Sequence, residues 1–129
     1  MTTNTITKIT AIIAALILFV EAGFHLTGTG PVKGAVAGVE SDFLRQALVG
    51  IWIMPSLHWI FIGFLSVGLS RYRSKACAAI LMAFGVWLLA DGVLTFLHVG
   101  GFIGVYLLWV AGALLLVSGG SLRKEMSTP

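Results

Sequence analysis

The sequence predicts an all-α integral membrane protein: four transmembrane helices in an antiparallel bundle, with both termini cytoplasmic. Three observations lead there. Of its 129 residues, 58% are hydrophobic and only 10% charged, with a mean hydropathy of +1.02; a soluble domain carries about 25% charged residues to keep its surface wet. The charge-poor stretches are long enough to cross a hydrocarbon core of about 30 Å as helices, and an open strand edge in lipid would leave backbone groups unpaired. The lysines and arginines, finally, are shared unequally between alternate connections.

The first span runs from about residue 6 to 27 and contains the apolar run ITAIIAALILFV, followed closely by Glu21 and His25. Val20-Glu21-Ala22 looks like a signal-peptidase site after that run, but the single Lys8 ahead of it predicts that the segment is retained, Glu21 included. The second half of the connection over 28–46, which ends in VESDFLRQ, predicts a short interfacial helix with Ser41 or Asp42 as N-cap. The second span, about 47–70, has no formal charge; at 1.5 Å per residue it reaches about 36 Å. From Ala76 to Leu122 the one formal charge is Asp91. That stretch is too long for one crossing, and His98-Val99-Gly100-Gly101 supplies a reversal, giving spans of about 76–98 and 101–120. Small-residue pairs such as Ala79/Ala83 and Gly100/Gly104, and Gly112, suit close helix packing. The whole chain, 1–129, reads as one transmembrane domain, and a homo-oligomer is expected because four spans make a thin bundle.

Orientation follows from the basic residues. Lys8, Arg71, Arg73, Lys75, Arg123 and Lys124 fall on one side, and only Lys33 and Arg45 on the other, where Glu40 and Asp42 offset them. Positive-inside places the six in the cytoplasm and predicts a multi-pass protein of a bacterial inner membrane. The net charge of +3 does not indicate nucleic acid, because the basic side chains are spread along the chain without forming a patch. Cys77 is the sole cysteine, which excludes an internal disulfide and a thiolate cluster for zinc.

Ionisable residues inside spans are costly and mark function. There are five: Glu21, His25, His58, Asp91 and His98. Counted from the outer helix ends at 1.5 Å per residue, His98 lies at the edge, His25 about 5 Å in, Glu21 about 10 Å, Asp91 about 13 Å and His58 about 16 Å. Glu21 and His25 are i, i+4 and share a face; Asp91 and His98 are i, i+7, with Trp87 and Thr95 close to the same stripe. Pro55 lies three residues before His58 and distorts its helix. Trp52 fits an interfacial belt, whereas Trp59, Trp87 and Trp109 come out near mid-bilayer, where indole N–H groups need partners. Mirroring the last two spans about Gly100 sets Trp109 opposite Asp91. One polar cavity, open to the outer side and walled by Trp59, Trp87, Trp109 and Thr95, accounts for all of these.

The chemistry expected of such a cavity is acid–base catalysis on a lipophilic small molecule, of isomerase, cyclase or hydrolase type. Asp91 or Glu21 would be the acid or base, His58 its partner or shuttle, and His25 and His98 further members. Each residue has a plainer explanation as an interhelical hydrogen bond, and for His98 at the turn, simple solvation. A second expectation is a metal or haem site: three histidines and two carboxylates suit a first-row metal, and His25 with His98 comes closest to a haem pair, although no HExxH or CxxCH occurs. No cofactor is required by the acid–base reading. In size, and in the membrane glutamate of its first span, Glu21, the chain resembles the small multidrug resistance exporters, which implies exchange of protons for drug. Its other four intramembrane ionisable residues and its clear charge bias depart from that pattern. It is also similar to small four-span bacterial membrane proteins with an acid and a histidine late in the first span.

Overall fold

The computed structural model of the protein describes residues 3–127. The described residues form five helices: α1 (Thr3–Thr27), α2 (Thr29–Ala35), α3 (Asp42–Leu69), α4 (Lys75–Val99) and α5 (Ile103–Glu125). No strand occurs among the described residues. Four of the helices are long and apolar enough to cross a membrane, the make-up of a multi-pass membrane protein.

The helix ends follow local chemistry. The Ser41 hydroxyl accepts from the Leu44 N–H at 3.3 Å and opens α3, where Asp42 also meets Arg45. The Ser74 hydroxyl accepts from the Ala76 N–H at 3.2 Å and opens α4. These oxygens satisfy donors that the first helical turn leaves without partners. At the other end of α4, Gly100 adopts φ +94, the sole positive φ among the described residues, and produces the expected reversal into α5. Arg123 and Lys124 sit in the last turn of α5, where the helix dipole favours positive charge.

The connection after α1 differs from expectation. Its helical piece is in the first half, α2, which continues almost directly from α1, and the segment behind Ser41 is the start of α3 itself. Gly30 and Pro31 do not break α2 because both lie within its first turn, where the missing proline N–H would have no partner anyway. The long helices also extend past the expected spans: α3 begins at Asp42 and α5 continues to Glu125.

Between apolar helices in lipid, close approach and interhelical hydrogen bonds replace hydrophobic drive. Helix α1 turns one stripe inward: Thr7, Ala11, Ala14, Ala15, Leu18, Glu21 and Ala22 are all buried. The stripe lies mainly on α5, where the Ser118 hydroxyl donates to the Thr7 carbonyl at 2.9 Å. Helix α5 in turn packs on α4 with Gly112 against Gly85; a Cβ on either would stand 2.8 Å from the other's carbonyl oxygen. Gly119 repeats this against Ala78 one helical turn pair further along. Helix α3 joins through α1, with Phe19 lying over Gly63 and meeting the Phe64 ring at a tilt of 47°, 4.9 Å between centroids. The spatial order is therefore α3–α1–α5–α4, and α3 and α4, although consecutive in sequence, pack on each other only sparsely. Ala79 and Ala83, expected in a helix contact, face outward.

Candidate functional site

The gap between α3 and α4 becomes a cavity of about 450 Å³ at the end of the bundle where α1 and α4 stop and α3 and α5 begin. Its walls are mostly apolar or aromatic, with Phe24, Trp52, Trp59, Phe102, Ile103 and Leu108 among them. The polar groups it gathers are Glu21 and His25 from α1 and Asp91 and Thr95 from α4.

Glu21 is there because it belongs to the buried stripe of α1. It is 4% exposed, and its carboxyl lies against Gly104 of α5, with Oε1 where the side chain of any other residue would begin. Oε2 is buried and has no hydrogen-bond partner among the described residues. Burying such a group unpaired costs stability, and the residue that carries it lines the cavity.

Asp91 is held differently. The Trp59 indole N–H donates to its Oδ2 at 3.0 Å, and this bond bridges α3 to α4 where their backbones stand apart. His58 Nε2 comes within 3.7 Å of the same oxygen, too long for a hydrogen bond, and has no other partner. His58 thus stands behind Asp91 and does not line the cavity. Trp59 is almost fully buried and presents its ring edge to His25 at 5.2 Å.

His25 and Trp52 lock α1 to α3 reciprocally. The His25 Nε2–H donates to the Trp52 carbonyl at 2.7 Å, and the Trp52 indole donates to the His25 carbonyl at 3.1 Å. The rings stack 4.1 Å apart at 13°. Because a carbonyl can only accept, Nε2 carries hydrogen and Nδ1 remains the imidazole's acceptor when the ring is neutral.

Glu21, His25, Asp91, Thr95 and Trp59 are thereby brought together. Four expected members do not line the cavity: His58, which stands behind Asp91, and three more. Trp87 is 61% exposed on the outside of α4: it shares Asp91's stripe, but α3 is too distant to cover it one turn further along. His98 is exposed, with Nδ1–H donating to the Leu94 carbonyl of its own helix at 2.8 Å. Trp109 falls beside Gly92, one residue from its expected level opposite Asp91, yet it packs with Phe96 and Tyr106 outside the cavity lining, its indole nitrogen unpartnered. Sequence reasoning missed Trp52, Phe24, Phe102 and Gly104. For Trp52 a signal existed, since it stands seven residues before Trp59 and so on the same face.

The residues do not fit a metal centre: among those described, no three His, Cys, Asp or Glu side chains converge as a ligand set. Nor are the histidines of the expected haem pair brought to one cavity: His25 lines it, whereas His98 is exposed outside its lining. No known protein family, curated protein or solved structure matches the chain.

Proposed function

We propose that the protein is an integral membrane enzyme that performs acid–base chemistry, of the isomerase, cyclase or hydrolase type, on a lipophilic small molecule. The observation that carries this reading is the pairing of two carboxyl groups in unlike settings on one apolar cavity. Glu21 lines the cavity and has a buried oxygen without a hydrogen-bond partner among the described residues, whereas Asp91 is tied to the Trp59 indole. Carboxyl groups in different surroundings divide the roles of proton donor and acceptor. Glu21 exchanges a proton with the bound molecule. Asp91, fixed by Trp59 and backed by His58, takes or steers the complementary proton, and His25 Nδ1 is a further acceptor. The volume of about 450 Å³ suits one small molecule, and the sparse α3–α4 seam gives it a way in from lipid.

The bundle is antiparallel, with both termini in the cytoplasm and the cavity at the outer side. The pairing of Ala78 with Gly119 and of Gly85 with Gly112 supports the first point, and the six basic residues at one end support the rest. Beneath the cavity lies a tight layer that includes Leu18, Leu81, Leu88 and Leu115, each 0% exposed. Such a plug favours catalysis over proton-coupled transport.

The test is solvent-deuterium incorporation. Lipophiles that co-purify with the protein are identified by mass spectrometry, returned to it in D2O, and weighed again. Wild type is expected to introduce deuterium or form product, and Glu21→Gln and Asp91→Asn are expected to bind without doing so. Exchange at the wild-type rate in both variants would remove the proposed site; proton-driven vesicle uptake abolished by Glu21→Gln would replace enzyme with transporter.

A further inference from the structure

A second groove, of about 590 Å³, lies at the opposite end of the bundle between the start of α4 and the end of α5. Its lining is Lys75, Ala79 and Met82 from α4 and Arg123 and Ser127 from the end of the chain. Residues 75, 79 and 82 follow the i, i+4, i+7 spacing of one helix face, while Arg123 lies in the last turn of α5 and Ser127 in the turn after it. Two cations therefore converge at the mouth, and a track of apolar side chains runs from them toward the bundle centre for about 10 Å, the rise of seven residues.

We propose that this groove binds the phosphate head of an anionic phospholipid, with the first part of an acyl chain along Ala79 and Met82. Among the described residues neither the Lys75 nor the Arg123 side chain meets an acid, whereas their neighbour Glu125 approaches Arg73 at 4.0 Å. Arg71, Arg73, Lys75, Arg123 and Lys124 outnumber that one acid at this end of the two helices, so the local field favours an anion. The apolar track distinguishes a lipid from free phosphate, for which it would be useless. Close packing of Gly119 on Ala78 and Met82 keeps the α4 and α5 backbones together and gives the groove a fixed floor. The groove beside Lys33 and Arg45 at the other end lacks this character, because Arg45 is engaged by Asp42 and by the Val39 carbonyl. Basic pockets between membrane helices hold lipid headgroups for the same reason.

The experiment is native mass spectrometry and thermal melting of the full chain in detergent, with phosphatidylglycerol, phosphatidylcholine or inorganic phosphate added. Wild type is expected to retain phosphatidylglycerol and to melt higher with it, but not with the other two. Lys75→Gln combined with Arg123→Gln is expected to weaken retention about 30-fold, from about fivefold per basic side chain. Both residues are exposed, so this variant keeps the wild-type melting point in phosphatidylcholine. Arg71→Gln, which removes one charge from the same end outside the groove, is expected to retain the lipid. Equal stabilisation by inorganic phosphate would make this a free-anion site and overturn the proposal. So would retention unchanged in the double variant, or lost equally in Arg71→Gln.

Discussion

Gly104→Ala separates the position of the Glu21 carboxyl from the stability of the bundle. A methyl at Gly104 would lie 3.1 Å from the Glu21 carboxyl carbon, closer still to Oε1, and 2.6 Å from the edge of the Phe102 ring. No backbone atom outside α5 is among those neighbours; both obstacles are the far ends of side chains, which can move. The carboxyl therefore retreats by about 1 Å, a displacement that costs about 100-fold in a positioned reaction. Stability moves little: crowding costs on the order of 1–3 kcal/mol, and replacing glycine by alanine in a helix returns about 1 kcal/mol. The assay is the deuterium-incorporation rate measured beside the melting temperature. Gly120→Ala, on the same helix with nothing within 4 Å, is the control and is expected to leave the rate unchanged. Wild-type turnover in a well-folded Gly104→Ala protein would refute the assignment of proton transfer to a carboxyl fixed at this point.

Other substitutions test the surrounding account. Trp59→Phe keeps the ring but removes the donor to Asp91, and is expected to lower stability by about 1.5–3 kcal/mol, as for a bond to a charged group, and to slow turnover; melting and rate measured together check both. Gly112→Ala would put a Cβ 2.8 Å from the Gly85 carbonyl, a backbone atom that cannot step aside, so the protein should melt markedly lower than Gly120→Ala. Trp87→Phe and His98→Ala, both exposed and outside the cavity, are expected to change stability by no more than about 0.5 kcal/mol and to leave turnover unchanged. A large loss of turnover in either would return that residue to the site.

Much of the scaffold could be read from the chain because its cues are local. Long uncharged stretches mark the helices that can cross a membrane, Gly100 permits the one left-handed turn, and Ser41 is a capping residue wherever its helix leads. What Ser41 begins was not local: Gly30 and Pro31 read as loop, and only the structure shows α2 running through them and α3 starting at Asp42. The i, i+4 spacing of Glu21 and His25 put them on one face, and the structure brings both to one cavity. The partners of these residues depend on which helices adjoin. Because α1 and α5 occupy the centre and α3 and α4 the edges, Trp59 reaches Asp91 while Trp87, on the same stripe, is left exposed. Mirror counting about Gly100 found the level of Trp109 to within a residue but could not say which side of α4 it would occupy. Trp52 was assigned to the interface by depth alone; its stacking on His25 is a tertiary fact.

The central claim, that the intramembrane acids face one chamber reached from the outer side, is tested most directly by thiol labelling at Thr95, which lines that chamber. With Cys77 replaced by serine, Thr95→Cys should react with a membrane-impermeant thiol reagent added outside the cell, and Glu21→Gln should leave that reaction intact. Labelling only from the cytoplasmic face, or none from either face in a folded protein, would contradict the account.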